Sequence, residues 1–200
     1  MDTYSTASRS GASGDAGGGA IVAAVRTRSR AAILALACGL IVTQTVALAK
    51  TRLPKPSSPL LWATVDVCDT AAHPDTIGIR GSMPGTGDGH QQMYMKFVVE
   101  YRSPSGNWHY LGGAGVSKFV AVGSGSSPAR QAGQDFAVAR SATITYTLRG
   151  VIVFEWRLGG HTIAQQVRAT RPGHTAAAGA DPPGYSVATC TINRTDAGRL

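Results

Sequence analysis

Hydrophobic and polar residues alternate along most of the chain after residue 59, which is typical of half-buried β-strands. In the clearest segment, residues 92–102, every second side chain is apolar or aromatic: Met93, Met95, Phe97, Val99 and Tyr101. Successive side chains of a strand point to opposite faces, so this segment would bury one face and expose the other. It is predicted to be a long strand of a two-layered core.

Other segments share this alternation or are rich in β-branched and aromatic residues. They are residues 60–68, 75–82, 108–111, 118–122, 143–158, 161–170 and 186–192, with a short edge strand at 134–138. Gly159-Gly160 separates two of them as a two-residue hairpin turn. No amphipathic helix is apparent after residue 49. The pattern predicts an all-β fold of about eight strands, arranged as a two-sheet antiparallel β-sandwich.

An uncharged, largely apolar run occupies residues 31–49, with three arginines in residues 26–30 before it. Ala47 and Ala49 supply the small residues of a cleavage site. Residues 26–49 are therefore predicted to be an apolar helical signal peptide, with the mature chain starting at Lys50. An uncleaved single-pass anchor is the alternative, because the run is nearly long enough to cross a bilayer.

Composition divides the remaining chain. Residues 1–25 are rich in Ser, Gly and Ala and are expected to be a disordered extension, with a start near Val25 as a second hypothesis. Residues 50–59 contain three prolines and read as a linker. Residues 60–192 form the predicted sandwich domain, and residues 193–200 a tail. The domain is predicted to be secreted, extracellular or held at the cell envelope.

The net charge of +8 lies mainly outside the predicted domain. Residues 60–192 contain ten basic and eight acidic residues, so this part is nearly balanced. Lys and Arg do not cluster along any segment, as a nucleic-acid surface would require. Nucleic acid is therefore not an expected partner, and contact with a membrane is expected only through an uncleaved residue 26–49 segment.

Three cysteines are present, and Cys38 would leave with the signal peptide. Cys68 and Cys190 remain in the mature chain, near the ends of the predicted domain. An even pair of cysteines in an oxidising compartment is typical of a disulfide. The prediction is a Cys68–Cys190 bond that joins the first strand to the last, with two buried free thiols as the alternative.

The strand number, the Gly159-Gly160 hairpin and a core tryptophan at Trp156 together resemble immunoglobulin-like and fibronectin-III-like β-sandwiches. The resemblance spans roughly residues 60–192 and suggests a secreted bacterial domain of this kind. The chain departs from antibody-type domains because its cysteines lie in the first and last strands. Functional residues of those families are therefore not transferred to this chain.

No catalytic, cofactor-binding or metal-binding constellation stands out. Ser117 lacks the second glycine of a nucleophile elbow. The nearest approach to a metal cluster is a group of loop residues: Asp66, Asp69, His73 and Asp75. Acids in such a segment more often cap turns. No cofactor is expected.

A secreted hydrolase with an unrecognised site is the alternative function. Glu100 and Glu155 are its candidate carboxylates, together with the Asp66, Asp69 and His73 group. A glycosidase would need two carboxyl groups facing across a cleft. Both glutamates instead fall on polar strand faces, where Arg102 or Arg157 is expected to pair with them.

Trp108 and Tyr110 share one strand face, and His109 takes the other. Large rings are usually buried, so one face is expected to join the core. Exposed rings would make Trp108 and Tyr110 the first candidates for ligand contact. The sequence thus favours a non-catalytic binding, adhesion or cell-surface module, whose partner is an extracellular glycan, cell-wall fragment or protein.

Overall fold

Residues 51–194, the part of the chain that the computed structural model describes, form nine β-strands in two antiparallel sheets, one of them strongly curled. The strands are β1 (Trp62–Cys68), β2 (Thr76–Pro84), β3 (Gln91–Arg102), β4 (Trp108–Tyr110), β5 (Val120–Ser124), β6 (Ala129–Ala137), β7 (Tyr146–Leu158), β8 (His161–Ala169) and β9 (Cys190–Ile192). The all-β, two-sheet prediction is confirmed.

The first sheet has the strand order β1-β2-β6, and the second has the order β4-β3-β7-β8. Two short strands complete the second sheet. β5 pairs with the beginning of β3 while β4 pairs with its end, and β9 pairs with the beginning of β7. The two longest strands, β3 and β7, therefore form the centre of the second sheet.

The core lies between the two sheets and follows the predicted alternation. Every apolar residue from Met93 to Val99 on the inner face of β3 is fully buried, as is Trp156 of β7. Two glycines let the sheets interdigitate: a Cβ on Gly81 of β2 would lie 2.5 Å from Ile152, and one on Gly150 of β7 would lie 2.7 Å from Ile79. Close approach of the sheets thus depends on both glycines.

The β7–β8 hairpin turns at Gly159-Gly160, as predicted. Both residues have positive φ, 57° and 84°, and the flanking residues Leu158 and His161 pair with each other. A two-residue turn that matches the twist of its strands needs this left-handed backbone, which glycine adopts without a steric cost.

Residues 170–189, here called the covering segment, run along the free edge of β1. The amide of Arg171 donates to the carbonyl of Ala63 (2.8 Å), and Val65 and Val187 exchange two backbone hydrogen bonds. The segment ends at Cys190, whose Sγ lies 2.07 Å from Sγ of Cys68. The two cysteines predicted to be bonded are thus at disulfide distance, and they link the first sheet to the second.

Two strands differ from the predicted bounds. β6 covers Ala129–Ala137 rather than residues 134–138, because small and polar residues continue its pairing with β2 as far as Pro84. β9 is confined to Cys190–Ile192, because the residues before it bond to the edge of β1 instead. An edge strand need not be hydrophobic, so alternation underestimates the length of β6. It overestimates the length of β9, because alternation does not show with which strand a residue pairs.

The predicted extension and signal peptide in residues 1–49, and the tail after Arg194, lie outside the described residues. Within residues 51–194 no helix has both the length and the apolarity for crossing a bilayer. The linker lies against the domain at two points, because the carbonyl of Arg52 accepts from Nε2 of Gln91 (2.8 Å) and that of Pro56 accepts from Nη2 of Arg168 (2.7 Å).

Candidate functional site

A cleft of about 490 Å³ lies where the first strand of one sheet meets the last long strand of the other. Its walls are Pro59 and residues 61–63 from the start of β1, and residues 167–169 from the end of β8. Arg171 and His174 of the covering segment close it. This volume lies within the range of about 300–1,000 Å³ that is typical of small-molecule sites.

An aromatic pair forms one side of this cleft, here called the end cleft. The rings of Trp62 and His174 stack with their centroids 4.5 Å apart and their planes 9° from parallel. Trp62 projects from the outer face of β1, because its neighbours Leu61 and Ala63 are buried in the core. Stacking covers one face of each ring, and the remaining, partly exposed surface of the pair lines the cleft.

The position of His174 is fixed by a short relay of hydroxyl groups. Its backbone amide donates to Oγ of Ser186 (2.8 Å), which in turn shares a hydrogen bond of 2.8 Å with the buried Oγ1 of Thr64. Thr64 lies two residues after Trp62, on the same face of β1. The outer face of β1 therefore positions both rings, since it carries Trp62 and, through Thr64 and Ser186, holds the backbone of His174.

Two arginines provide the charge of the end cleft. Arg168 uses its guanidinium to bind the carbonyls of Pro56 (2.7 Å) and Val167 (2.8 Å) and Oε1 of Gln166 (3.3 Å). The side chain of Arg171 is exposed and makes no hydrogen bond or ion pair within residues 51–194. Among the described residues that line the cleft, none is acidic.

Burial lowers the pKa of His174 below its usual 6.5. This half-buried imidazole is therefore neutral near pH 7. The positive charge of the end cleft then belongs to the guanidinium groups, while Trp62 and His174 act as an uncharged surface.

The sequence analysis did not single out Trp62, His174, Arg168 or Arg171. The alternation of β1 correctly points Trp62 away from the core, which was the one signal available. The three other residues follow from the path of the covering segment and the end of β8, which no local pattern specifies.

Trp108 and Tyr110 lie on the outer face of the second sheet, and His109 on the other face is exposed. None of the three belongs to the core, so the expectation that one face would join it was wrong. Tyr110 is 69% exposed. The ring of Trp108 is covered by the guanidinium of Arg149, 4.3 Å from its centroid. Of these two rings, Tyr110 is therefore the one left uncovered for a ligand.

Arg149 also binds the first candidate carboxylate, with Nε 2.6 Å from Oε2 of Glu100. The two residues are direct cross-strand partners in the β3–β7 register. Arg102, the expected partner, instead bonds to the carbonyl of Gly106. Glu100 is thus part of a structural ion pair.

The second candidate carboxylate, Glu155, is nearly buried and accepts hydrogen bonds from Arg157, Gln165 and Thr162. Burial disfavours its charge, but these donors outweigh it and lower the pKa of Glu155. Arg157 is held between the rings of Tyr94 and Phe119, 4.1 and 4.8 Å from their centroids. Arg157 thus pairs with Glu155 as expected, but both residues lie in β7.

The β3–β7 register pairs Glu155 with Tyr94, six residues along β3 from Glu100. At about 3.3 Å per residue, the two glutamates are roughly 20 Å apart along the sheet. Carboxyl groups of glycosidases lie within about 10 Å of each other. The register thus separates these carboxylates too far for that chemistry.

The three aspartates of the predicted acidic group are divided between two arginines, Arg80 and Arg140. Asp69 and Asp75 both bind Arg140, with Nη2 of Arg140 3.0 Å from Oδ1 of Asp69. The amide of His73 bonds to Thr70 and so closes a turn between the two acids. Within residues 51–194 no three His, Cys, Asp or Glu side chains are arranged to hold a metal ion.

Asp66 has a different partner from Asp69 and Asp75 and is almost completely buried. Its Oδ2 binds Nε of Arg80 at 2.8 Å, while Oδ1 has no hydrogen-bond partner among the described residues. Burial outweighs the attraction of Arg80 and raises the pKa of Asp66. Gly133 and Gly179 leave room for this guanidinium, since a Cβ on either would lie 2.7 Å from it.

Ser117 is used structurally. Its Oγ accepts from the amide of Phe97 (2.9 Å) and donates to the carbonyl of Lys118 (2.7 Å). It therefore joins the turn before β5 to the edge of β3. Both its donor and an acceptor site are engaged, as expected for a turn serine.

Comparison of the sequence with protein-family models gives no match, and a search of curated proteins gives no significant match. A function for this chain therefore rests on the geometry of its own residues. Of the surfaces described above, the end cleft alone combines concavity, an aromatic stack and an arginine with no partner within residues 51–194.

Proposed function

We propose that the chain is an exported β-sandwich that acts as a non-catalytic binding module at the cell surface or outside the cell. Its ligand occupies the end cleft and contacts the Trp62–His174 stack. Glycans and cell-wall fragments are the first ligand class, because an aromatic surface and a few polar groups in a concave site suit sugar rings.

One observation carries the proposal. The end cleft, about 490 Å³ in volume, brings together side chains from β1, β8 and the covering segment that are far apart in the sequence. The Trp62 and His174 rings are not needed to fill the core, which lies on the other face of β1. A half-exposed aromatic stack beside an arginine with no partner in the described chain is better suited to recognition than to stability.

Strand order supports an immunoglobulin-like arrangement. In their order within the first sheet, β1, β2 and β6 match strands A, B and E of such domains. In their order within the second sheet, β4, β3, β7 and β8 match strands C′, C, F and G. β5 and β9 are additions to this plan. The cysteine pair also differs, because it joins β1 to β9 rather than the B and F strands.

Export is proposed from the leader and from the cysteines. Residues 26–49 carry the basic start, the apolar run and the small residues of a signal peptide. A pair of cysteines at disulfide distance is in keeping with an oxidising compartment.

The positions of the candidate carboxylates do not favour the hydrolase alternative. Its two glutamates lie roughly 20 Å apart in the β3–β7 register. Asp66 is buried against Arg80, and Asp69 shares Arg140 with Asp75. None of these arrangements favours catalysis over structure.

The proposal is tested by screening the mature chain against arrays of glycans and cell-wall fragments. Trp62→Ala and Trp108→Ala are compared, each first checked for an unchanged melting profile. Loss of binding in Trp62→Ala with retention in Trp108→Ala is the expected result. Loss in Trp108→Ala alone would move the site to the outer sheet face, and indifference of the wild-type chain to every ligand would contradict a binding role.

A further inference from the structure

We infer that the end cleft recognises an acidic saccharide, that is, a sugar ring bearing a carboxylate or a phosphate group. This inference rests on the proposed binding function and adds the chemistry of the ligand. It follows from the charge of the cleft, from the shape of its aromatic side and from the backbone that borders it.

The arginines of the end cleft differ from the other arginines of the domain in their partners. Within residues 51–194, four arginines form ion pairs with carboxylates: Arg80, Arg140, Arg149 and Arg157. Both arginines of the end cleft are outside this set, and no acidic residue lines the cleft. A guanidinium presents a planar fork of donors that matches a carboxylate or phosphate. Arg171, exposed at the cleft, is therefore the group that would bind the anion.

Arg168 contributes to the end cleft in a different way from Arg171. Its guanidinium is fixed on backbone carbonyls of Pro56 and Val167, so it is held rigidly at the wall of the cleft. Those neutral acceptors leave its charge uncompensated. Arg168 thus adds positive potential to the site, while Arg171 retains the freedom to form a two-pronged contact.

The aromatic stack favours an anion that is carried by a sugar. The rings of Trp62 and His174 are parallel and stacked face to face, so the surface that they leave to a ligand is the outer face of the stack, and both residues line the same cleft as Arg171. The C–H face of a pyranose ring packs on such a surface by dispersion and by release of water. A free inorganic anion would leave this surface unused.

An acidic peptide fits less well. The edge of β1 that borders the cleft already bonds to the covering segment, through the Arg171 amide on the Ala63 carbonyl and the Val65–Val187 pair. An extended peptide would therefore find no free backbone on β1 with which to pair. The site offers side chains and a ring surface, which suits a saccharide.

The experiment uses two pairs of probes that differ only in charge. Tetragalacturonate is compared with its methyl ester, and phosphopentamannose with pentamannose. Of the three tryptophans in the chain, only Trp62 lines the cleft, so its indole N–H resonance reports binding there. At least one acidic probe is expected to shift this resonance, its neutral counterpart not, and which acidic probe binds identifies the carboxylate or the phosphate source.

The matched variants are Arg171→Gln and Arg130→Gln. Arg130 is also exposed but lies on β6, away from the cleft. Affinity for the acidic probe should fall at least about ten-fold in Arg171→Gln and stay unchanged in Arg130→Gln, since a charged hydrogen bond is lost only in the first. Added salt should weaken binding to the wild-type chain.

Three outcomes would overturn the inference. A neutral probe that shifts Trp62 as strongly as its acidic counterpart would do so while leaving the binding function intact. An acidic hexapeptide that displaces the saccharide at lower concentration would replace the ligand class. Absence of any Trp62 shift with all four probes would reject the acidic-saccharide assignment, and the separate array screen then decides whether the binding function itself fails.

Discussion

On the outer face of β1, three alternating side chains have three different partners. Trp62 stacks on His174, Thr64 bonds to Ser186, and Asp66 pairs with Arg80. Alternation in the sequence gives the direction of these side chains correctly. It cannot reveal that residues more than a hundred positions later are the partners of Trp62 and Thr64, because the covering segment has no periodicity of its own. The site therefore could not be predicted, although the face that carries it could.

Arg80 should be essential for stability because it is the one cation bound to the buried Asp66 in the described chain. Replacing it with methionine, Arg80→Met, leaves a buried carboxylate whose Oδ1 is already without a partner. Breaking a buried pair in this way costs about 3–5 kcal/mol, and the lower end is expected here because Arg80 is partly exposed. Urea unfolding at pH 7 measures the loss.

A second variant separates charge from packing. Asp66→Asn combined with Arg80→Met removes the uncompensated charge and should recover part of the stability. Burial also raises the pKa of Asp66, so the single variant should be less impaired as the pH falls and the buried carboxylate takes up a proton. A double variant no more stable than Arg80→Met would show that packing of the arginine, not charge, is what matters.

His174 should make the stability of the domain depend on pH. Its folded pKa lies below the unfolded value of 6.5, so the unfolded chain binds more protons in the interval between the two. The contribution of His174 to stability is therefore fully present above pH 6.5 and is lost as the pH falls through the folded pKa. His174→Phe keeps a stacking ring and should flatten this part of the profile.

Denaturant unfolding between pH 7 and pH 5 measures the effect. In this interval the charged or titratable groups around His174 are Arg168 and Arg171, which line the same cleft and remain positive. A wild-type profile that parallels that of His174→Phe throughout would contradict the prediction.

At the scale of elements, the predicted strands were most accurate where both faces have a clear character. The inner face of β3 and the β7–β8 hairpin match the sequence pattern closely. β6 was predicted too short because its residues are small or polar, and its length comes from pairing with β2. β9 was predicted too long because Val187 pairs with β1 of the other sheet. Pairing partners, unlike alternation, are not local properties.

The turn at Gly159-Gly160 provides a test at this scale. Gly160 has a φ of 84°, so Gly160→Ala should destabilise the domain by about 1–2 kcal/mol. Gly113 is the matched control, because it has no positive φ and a Cβ there would meet nothing within 4 Å. Gly113→Ala should stay within about 0.5 kcal/mol of the wild type. Equal unfolding midpoints for the two variants would show that the turn does not require its left-handed backbone.

At the scale of the whole molecule, two long-range features hold the sheets together. Gly81 and Gly150 allow the isoleucines of the opposite sheet to enter between strands. The covering segment follows β8 of the second sheet, runs along β1 of the first, and returns to β9 beside β7. Alternation predicted two sheets, and the cysteine count predicted one pair. Neither predicted that the covering segment would join the two sheets along the edge of β1.

The cysteine pair should therefore stabilise the arrangement of the two sheets. Cys68 and Cys190 are 122 positions apart, so their bond closes most of the domain into one loop. Chain-entropy arguments give about 4–5 kcal/mol for a loop of this size, as an upper figure. The double variant Cys68→Ala/Cys190→Ala should show a lower urea midpoint.

Because β9 and the covering segment are tied to β1 through this bond, amides near Val187 should exchange faster with solvent in the variant than those of β3. Thiol titration of unreduced, denatured mature chain should find no free thiol. Two reactive thiols, or a double variant as stable as the wild type, would mean that hydrogen bonds along β1 hold the segment without the bond.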